Sequence, residues 1–530
     1  MKNLWAVLRR DRTRVATFAV LIVLFLMAIA GMSTKDWLIT TLRGFSVGAV
    51  VFLVAAGFSI ILGLMDVLNL AQGTLYMIGA YVGWTVYVRP DTFVDLLTPL
   101  ALISAGLLLQ PLWTRLLDRL TLSRRVARIW PWIALLLGVV VLVFTVARVP
   151  LAIWDPENYS DSPISWTQAF DAGQVSALVE PAVWEGLAPF IGLVALLAGG
   201  ALISISLTGF GRQQTAGQGA DAQARRLPLQ TMAIILVLFA IGLGAYLAND
   251  PITDFLLNMN RNWLFFLALV AATLTGGGLG ALMEATLIRP LYERALYQIM
   301  LTFGLSFVGI EVVRAIWGRQ GFTMAKPPLF AGTGEGCPAT SLSGWLQHNC
   351  STLEVTIGGE VARIRVYNEI FVPLVGLVVL IAVWILLQRT RLGMIIRAGV
   401  QDSDMVEALG INVRRVFTLV FGLGVSIASL GGIVSAPATG LSDLMGGDLL
   451  LGALVALAIG GLTSYPGAAV GAVLVGLVQQ FMIKYGQIGI NLPFLDEPFK
   501  PTPPLIPAST VLMMIIILVI MPHGLLGRKE

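Results

Sequence analysis

The chain is poor in the residues that carry chemistry. Its 530 residues include two cysteines and two histidines. That is too few for a metal-rich or iron–sulfur protein, and too few cysteines for a disulfide scaffold. His348 and His523 have no motif partner and fall outside the apolar runs, so both read as solvated loop residues. No phosphate-cradling GxxxxGK[ST] loop is present, and no residues read as a catalytic constellation or a metal site. Charge is scarce too: Asp, Glu, Lys and Arg make up 12% of the chain, about half the usual globular share. The net charge of +4 comes from short basic clusters between apolar runs, a pattern unlike that of a nucleic-acid surface.

What fills the sequence is hydrocarbon. Hydrophobic residues are 57% of the chain, and many runs reach the ~20 residues that cross a bilayer core. The expected fold is an all-α, polytopic integral membrane protein; a soluble enzyme, a secreted disulfide scaffold and a disordered chain are excluded. Apolar windows between charged or Pro/Gly punctuation give about fourteen transmembrane helices. They lie near 15–32, 38–62, 70–88, 96–113, 130–149, 186–208, 229–248, 263–287, 299–317, 369–388, 416–436, 448–465, 467–484 and 509–522. The first run follows a basic segment and exceeds the ~7–15 residues of a signal-peptide core, so it reads as a retained helix.

Cytoplasmic loops carry an excess of Lys and Arg. With both termini inside, the inside segments hold 22 of the 34 basic residues, among them Arg9, Arg124, Arg226, Arg289, Arg397 and Arg415. Two sizeable loops, 150–185 and 318–368, then lie outside. The second holds Cys337 and Cys350, either a disulfide, which an extracytoplasmic loop would preserve, or two unpaired thiols. In the same loop, 355–366 alternates around Gly358 and Gly359, a hairpin signal.

Three segments depart from plain apolar helix. Asp66, Asn69, Gln72, Gly73 and Thr74 interrupt two apolar stretches without a hydrophilic loop around them. Lipid-exposed irregular backbone is forbidden, so the interruption is either a break buried in protein, as in transporters, or a tight cytoplasmic turn. Residues 449–476 are rich in small side chains and turn at 461–467, with Ser464 and Pro466; they suit close helix packing or a share in a pathway. Between two spans, 389–415 is too long for a simple turn. Met405, Val406, Ala408 and Leu409 form one side of a short helix, with Asp402, Asp404 and Glu407 beside it and Gly410 fitted to stop it. It is either a helix that docks into a groove of a cytosolic partner or a solvated loop. Glu284, Glu311 and Asp448 lie in or at the ends of apolar runs, where snorkelling or pairing with an arginine is expected.

Together these segments resemble the permease subunits of branched-chain amino acid ABC importers, the LivH-like side of that family. The resemblance is carried by Gly48–Gly63, by Asn69-Leu-Ala-Gln-Gly73 with Met77-Ile-Gly-Ala-Tyr81, and by Arg289-Pro-Leu291. It continues in Thr390-Arg-Leu-Gly393, Gly410-Ile-Asn412, Gly460-Gly-Leu-Thr-Ser-Tyr-Pro-Gly467 and Gly524-Leu-Leu-Gly527. These occur in the family's order over 38–90 and 263–530. The resemblance implies a multi-pass subunit of a bacterial inner membrane with both termini cytoplasmic. Its partners would be a second permease subunit, two cytosolic ATPases and an extracytoplasmic binding protein. The chain itself would bind no cofactor, ATP and magnesium residing on the ATPases. The solute would be a branched-chain or other apolar amino acid, urea or a short amide.

By the same resemblance, Asn69, Gln72, Gly73, Tyr76, Gly461 and Ser464 would lie near the substrate pathway. Residues 389–415 would be the coupling segment, with Arg397, Asp402, Glu407, Ala408 and Gly410 at the ATPase groove. The chain would open with a cytoplasmic segment and first helix (1–37). The permease core would then run in two stretches, 38–94 and 263–530, separated by inserted helices (95–262). Two features depart from the family. Gln72 stands where the family often has histidine, which removes a titratable group, and about four extra spans interrupt the core, with a linker-like stretch at 209–228. Without the resemblance, polar breaks in membrane helices also suit an ion-coupled secondary carrier, or a membrane assembly protein.

Overall fold

The computed structural model describes residues 12–118, 123–146, 148–149, 187–215, 229–292, 294–319, 321, 323–401, 403–490 and 497–527. The basic segment before residue 12, the whole of the loop 150–185, part of the linker 209–228 and Asp402 lie outside the described residues. The chain divides into two compact units, 1–84 with 261–530, and 85–260.

The first unit begins with α1 (Arg12–Ala30) and α2 (Thr34–Met65), and α3 (Gln72–Val88) leads out of it. Ser33 caps α2 by accepting from the Asp36 amide at 3.2 Å. Helix α2 is the axis of this unit: nearly every residue from 48 to 61 is buried, and its apolar character on all sides is that of a helix surrounded by others.

The second unit holds α4 (Pro90–Leu107), α5 (Gln110–Asp118), α6 (Arg124–Val146), α7 (Ala188–Thr215), α8 (Leu229–Leu247) and α9 (Asn249–Leu257). Helix α7 packs against α4 and α6, and α8 against α4. Polar side chains tie these helices through backbone carbonyls, as membrane helices often are. Ser204 donates to Leu107 at 2.8 Å, Ser206 to Pro131 at 2.7 Å and Thr98 to Gly242 at 3.2 Å. Much of α6 presents exposed apolar side chains, including Trp132, Leu136 and Val143.

The first unit resumes with α10 (Arg261–Met283), which ends in a π-helical turn (Glu284–Ile288) and a 3-10 turn (Arg289–Leu291), and with α11 (Ala295–Trp317). Then comes a folded loop. Helix α12 (Leu342–His348) is followed by strands β1 (Thr352–Ile357) and β2 (Glu360–Arg365), paired antiparallel with Ile357 opposite Glu360. Gly358 and Gly359 both take positive φ, 62° and 83°, as a two-residue turn of this twist demands. Cys337 and Cys350 are disulfide-bonded, their Cα atoms 5.4 Å apart.

A π-helical turn (Val366–Phe371) leads into α13 (Val372–Arg389), and the connector follows as α14 (Arg391–Gln401) and α15 (Ser403–Ala408). The unit closes with α16 (Val413–Thr439), α17 (Met445–Gly460), α18 (Tyr465–Ile488) and α19 (Leu505–Ile520). Helices α13, α16, α17 and α18 surround α2, and α10 lies along α16. The hairpin and the connector stand at opposite ends of this bundle, and name its two faces.

All fourteen apolar segments contain helix, but fourteen full crossings need correction. Among the described residues nine helices are long and apolar enough to cross a membrane, or ten if the pair Thr231–Leu247 and Asn249–Leu257, bent by 76°, is one span. Helix α17 has 16 residues and α3 has 17, and at 1.5 Å per residue each reaches about 25 Å, short of a ~30 Å hydrocarbon core. A hydropathy window adds apolar residues across a break in the helix and so counts a partial span as a full one.

Candidate functional site

A cavity of about 660 Å³ lies between α2, α13, α16, α17 and α18 on the hairpin face. Val47, Val50, Val51 and Leu449 give it apolar wall, while Arg43, Glu369, Asn368 and Asp448 give it charge and hydrogen-bonding groups. Glu369 is 2% exposed. It accepts from Arg43 Nε at 3.0 Å and from the Arg365 backbone amide at 2.9 Å, which satisfies a carboxylate held away from water. Beside them in the folded loop, Lys326 has its pKa pushed down by burial and by the Arg365 charge, against the pull of Glu369. Asp448 sits in the first turn of α17, where the helix dipole favours an anion.

Tyr76 and Ser435 meet at this cavity, their hydroxyl oxygens 2.5 Å apart. One helical turn before Tyr76 on α3 stands Gln72, fully buried. Its Nε2 donates to the Gly424 carbonyl of α16 at 2.9 Å, and its Oε1 accepts from Asn69 Nδ2 at 3.0 Å. Gly57 of α2 lies against both groups: a Cβ there would strike the Gly424 carbonyl oxygen and Gln72 Nε2. Three helices therefore close on one amide side chain. Gly73 is packed against Gly446 at the start of α17 with equally little room.

The break at 66–71 runs from an exposed Asp66 to a buried Ala71. Asp66 stops α2 with a left-handed backbone, φ 53°, and its amide still reaches the Leu62 carbonyl at 3.0 Å. Asn69 Oδ1 accepts from the Ala71 amide at 3.1 Å. Thr302 of α11 accepts from the Leu70 amide at 3.2 Å and lies 3.3 Å from the Leu68 carbonyl. Val67, Asn69 and Ala71 are buried. Irregular backbone in a membrane helix persists where side chains replace its lost hydrogen bonds, and Asn69 and Thr302 do so here.

At the opposite face Gly461 (φ 110°) and Ser464 form the turn between α17 and α18. Ser464 caps α18 by accepting from the Gly467 amide at 3.2 Å. The last described segment docks on this turn: the Leu525 and Leu526 amides donate to the Ile459 and Gly460 carbonyls at 2.8 and 3.0 Å. Gly461 and Ser464 are thus not among the residues that line the cavity, and neither are Asn69, Gln72 and Gly73; Tyr76 is.

In the connector, Arg397 donates to the Leu387 carbonyl at 2.7 Å and to Gln388 Oε1 at 2.9 Å, which ties α14 to the end of α13. Gly410 (φ 83°) terminates α15, its amide donating to the Glu407 carbonyl and that of Ile411 to the Val406 carbonyl. Ile396 and Val406 face inward, and Glu407, Ala408 and Leu409 are exposed. Sequence reasoning did not single out Arg43, Asn368, Glu369 or Ser435. Arg43 carried a signal, a lone cation in the apolar stretch that became α2; the other three sit where several elements meet, which no local pattern records. Among the described residues no group of His, Cys, Asp and Glu is suited to hold a metal ion.

An all-α membrane protein with a charged cavity above a hydrogen-bonded helix break has the architecture of a solute permease. Comparison with known proteins gives the class its family. The sequence profile described as branched-chain amino acid transport system / permease component matches residues 227–521, more than half of the chain. The chain belongs to that family.

Among its relatives, the high-affinity branched-chain amino acid transport system permease protein LivH of Escherichia coli K12 is 24% identical over 292 residues. That match covers 54% of this chain and 83% of the relative. LivH of Salmonella typhimurium is 23% identical over the same length and coverage. The permease protein BraD of Pseudomonas aeruginosa is 28% identical over 165 residues, 31% of this chain and 49% of that protein. No solved structure matches.

Proposed function

We propose that this chain is the membrane-spanning subunit of an importer for branched-chain and other apolar amino acids, powered by ATP hydrolysed on separate cytosolic subunits. The observation that carries this reading is the stacking of three features in one bundle. A charged cavity opens on the hairpin face, a hydrogen-bonded break closes the bundle beneath it, and a short-helix connector stands at the far end. The excess of Lys and Arg in segments on the connector side supports placing that face in the cytosol and the cavity outside. In this reading the structure is the outward-open form. An extracytoplasmic binding protein delivers solute to the cavity, whose valine wall suits an aliphatic side chain and whose Arg43 and Asp448 suit a zwitterionic head. A second permease subunit completes the membrane assembly. The names of the relatives support the solute class, and the Glu407–Gly410 surface supports an ATPase contact.

Helix α17 and the 66–71 break would move when the ATPases close, parting Tyr76 from Ser435 and the Gln72 belt beneath. The test is reconstitution of the chain with its ATPases and a second permease, followed by ATP-dependent uptake of radiolabelled leucine. Glu407→Arg and Gly410→Trp are expected to abolish uptake while the membrane subunit still folds. Unchanged ATP-driven uptake in both variants would refute the coupling role of the connector.

A further inference from the structure

The Glu284 carboxylate lies at the end of α10 nearest the connector and does not line the cavity. It is 0% exposed. One oxygen accepts from the Tyr292 hydroxyl at 2.5 Å and from Arg289 Nε at 3.2 Å. The other accepts from Arg289 Nη2 at 2.8 Å and from the Thr418 hydroxyl at 2.5 Å. Thr418 in turn accepts from Arg289 Nη2 at 2.7 Å. Four side chains therefore close a ring of hydrogen bonds around one buried charge, and the Tyr292 ring meets Phe417 edge-on, 5.9 Å between centroids.

The ring joins two distant segments of the chain. Glu284 and Arg289 belong to the π and 3-10 turns that end α10. Thr418 lies six residues into α16, whose first residue directly follows the Asn412 cap at the end of the connector. Without these contacts the last turns of α10 would be held to α16 by packing alone, and the winding changes from α-helical to π-helical at Glu284, an irregularity frequent at functional sites. Farther along, α10 touches α16 where Gly277 and Gly280 meet Ser426 and Val425, the two residues that follow Gly424, whose carbonyl receives Gln72.

The geometry points to Glu284, Arg289 and Thr418 as positioning residues of transport: a clasp that makes α10 follow the first turns of α16 when the connector is displaced. None of the three touches solute. They act by delivering connector movement to the helices around the Gln72 belt through a charge-assisted contact whose carboxylate is fully buried and whose Arg289 side chain is 32% exposed. This inference rests on the reading of the chain as an ATP-driven permease subunit.

The experiment uses the complete reconstituted complex and measures leucine uptake and ATP hydrolysis on the same proteoliposomes. Thr418→Val keeps the Glu284–Arg289 pair within one element and cuts only the bridge to α16; Glu284→Gln keeps the shape and removes the charge. Each is expected to lower solute moved per ATP hydrolysed by about fivefold to tenfold, the size of effect seen for residues on a coupling route. Hydrolysis itself should stay within about twofold, and Thr418→Ser should restore the ratio. A variant complex that assembles and loses uptake and hydrolysis in equal proportion, or loses neither, overturns the clasp. If Glu284→Gln does not assemble, the Thr418→Val and Thr418→Ser pair decides alone. Absence of ATP-driven uptake in the unmodified complex overturns the functional reading itself, and the clasp with it; intact uptake there with unaltered ratios in the variants overturns the clasp only.

Discussion

At the scale of single residues, the region below the cavity is governed by how little space Gln72 has. Gly57→Ala places a methyl group against the Gly424 carbonyl and the Gln72 amide together. Both are held by hydrogen bonds, so neither retreats without loss. A destabilisation of about 1–3 kcal/mol is expected for such overpacking, read as a fall in thermal midpoint of the detergent-solubilised protein. Lys326 gives a residue-scale effect of opposite character. Its folded pKa is below the ordinary 10.5 because burial and Arg365 disfavour its charge. Between that lowered value and 10.5 the unfolded chain binds more protons than the folded one, so stability rises with pH across this window. Below the window the charged lysine is a constant cost. Lys326→Met should therefore be more stable than the parent near neutral pH, with the difference shrinking as pH approaches 10.5; thermal melts at several pH values check the sign.

At the scale of elements, the break and the folded loop are held by different means. The 66–71 segment relies on side chains from two directions, Asn69 within it and Thr302 from α11. Thr302→Val leaves the Leu70 amide without its acceptor, at a cost of about 1–3 kcal/mol. Faster hydrogen exchange at 66–72 than in α2 is the expected signature. The folded loop relies on its cross-link. Cys337 and Cys350 are 13 positions apart, and a loop of this size contributes roughly 3 kcal/mol by restricting the unfolded chain. The Cys337→Ser/Cys350→Ser double variant should become protease-sensitive within 331–357 before the helices unfold, which limited proteolysis reads directly.

The elements also show where sequence reading succeeds. The fourteen apolar segments, the Gly358-Gly359 hairpin and the Gly410 helix stop are local: period, turn residues and a cap lie within a few positions of one another. The count of crossings is not local, because Gln72–Val88 and Met445–Gly460 look like spans until their lengths are measured against a bilayer. Arg43 and Glu369 are 326 positions apart, and no pattern within either segment announces the pair.

At the scale of the whole molecule, the reading that the cavity opens outward and the belt is shut makes a labelling prediction. Both cysteines of the chain are consumed in the disulfide, so an introduced thiol reports without background. Ser46→Cys, on the partly exposed wall of the cavity, is expected to react with a membrane-impermeant thiol reagent added outside, and Gln72→Cys, fully buried, is not. Trapping the ATPases in the closed state should reverse the first result. Equal reactivity of the two positions in every state would contradict alternating access through this bundle.

Taken alone, the sequence determined that the chain lives in lipid, which segments are helical, where helix gives way to turn, and the family to which its motifs point. Those properties follow from composition and short-range period, because transfer of apolar surface out of water and the closing of backbone hydrogen bonds depend on near neighbours. Only the tertiary structure decided that Tyr76 faces a cavity while Gln72 seals the layer below, that Glu284 is enclosed rather than snorkelling, and that Arg43 holds Glu369. Each depends on which distant helices pack side by side, and packing is settled by the fit of whole surfaces, to which any one segment contributes only its own side.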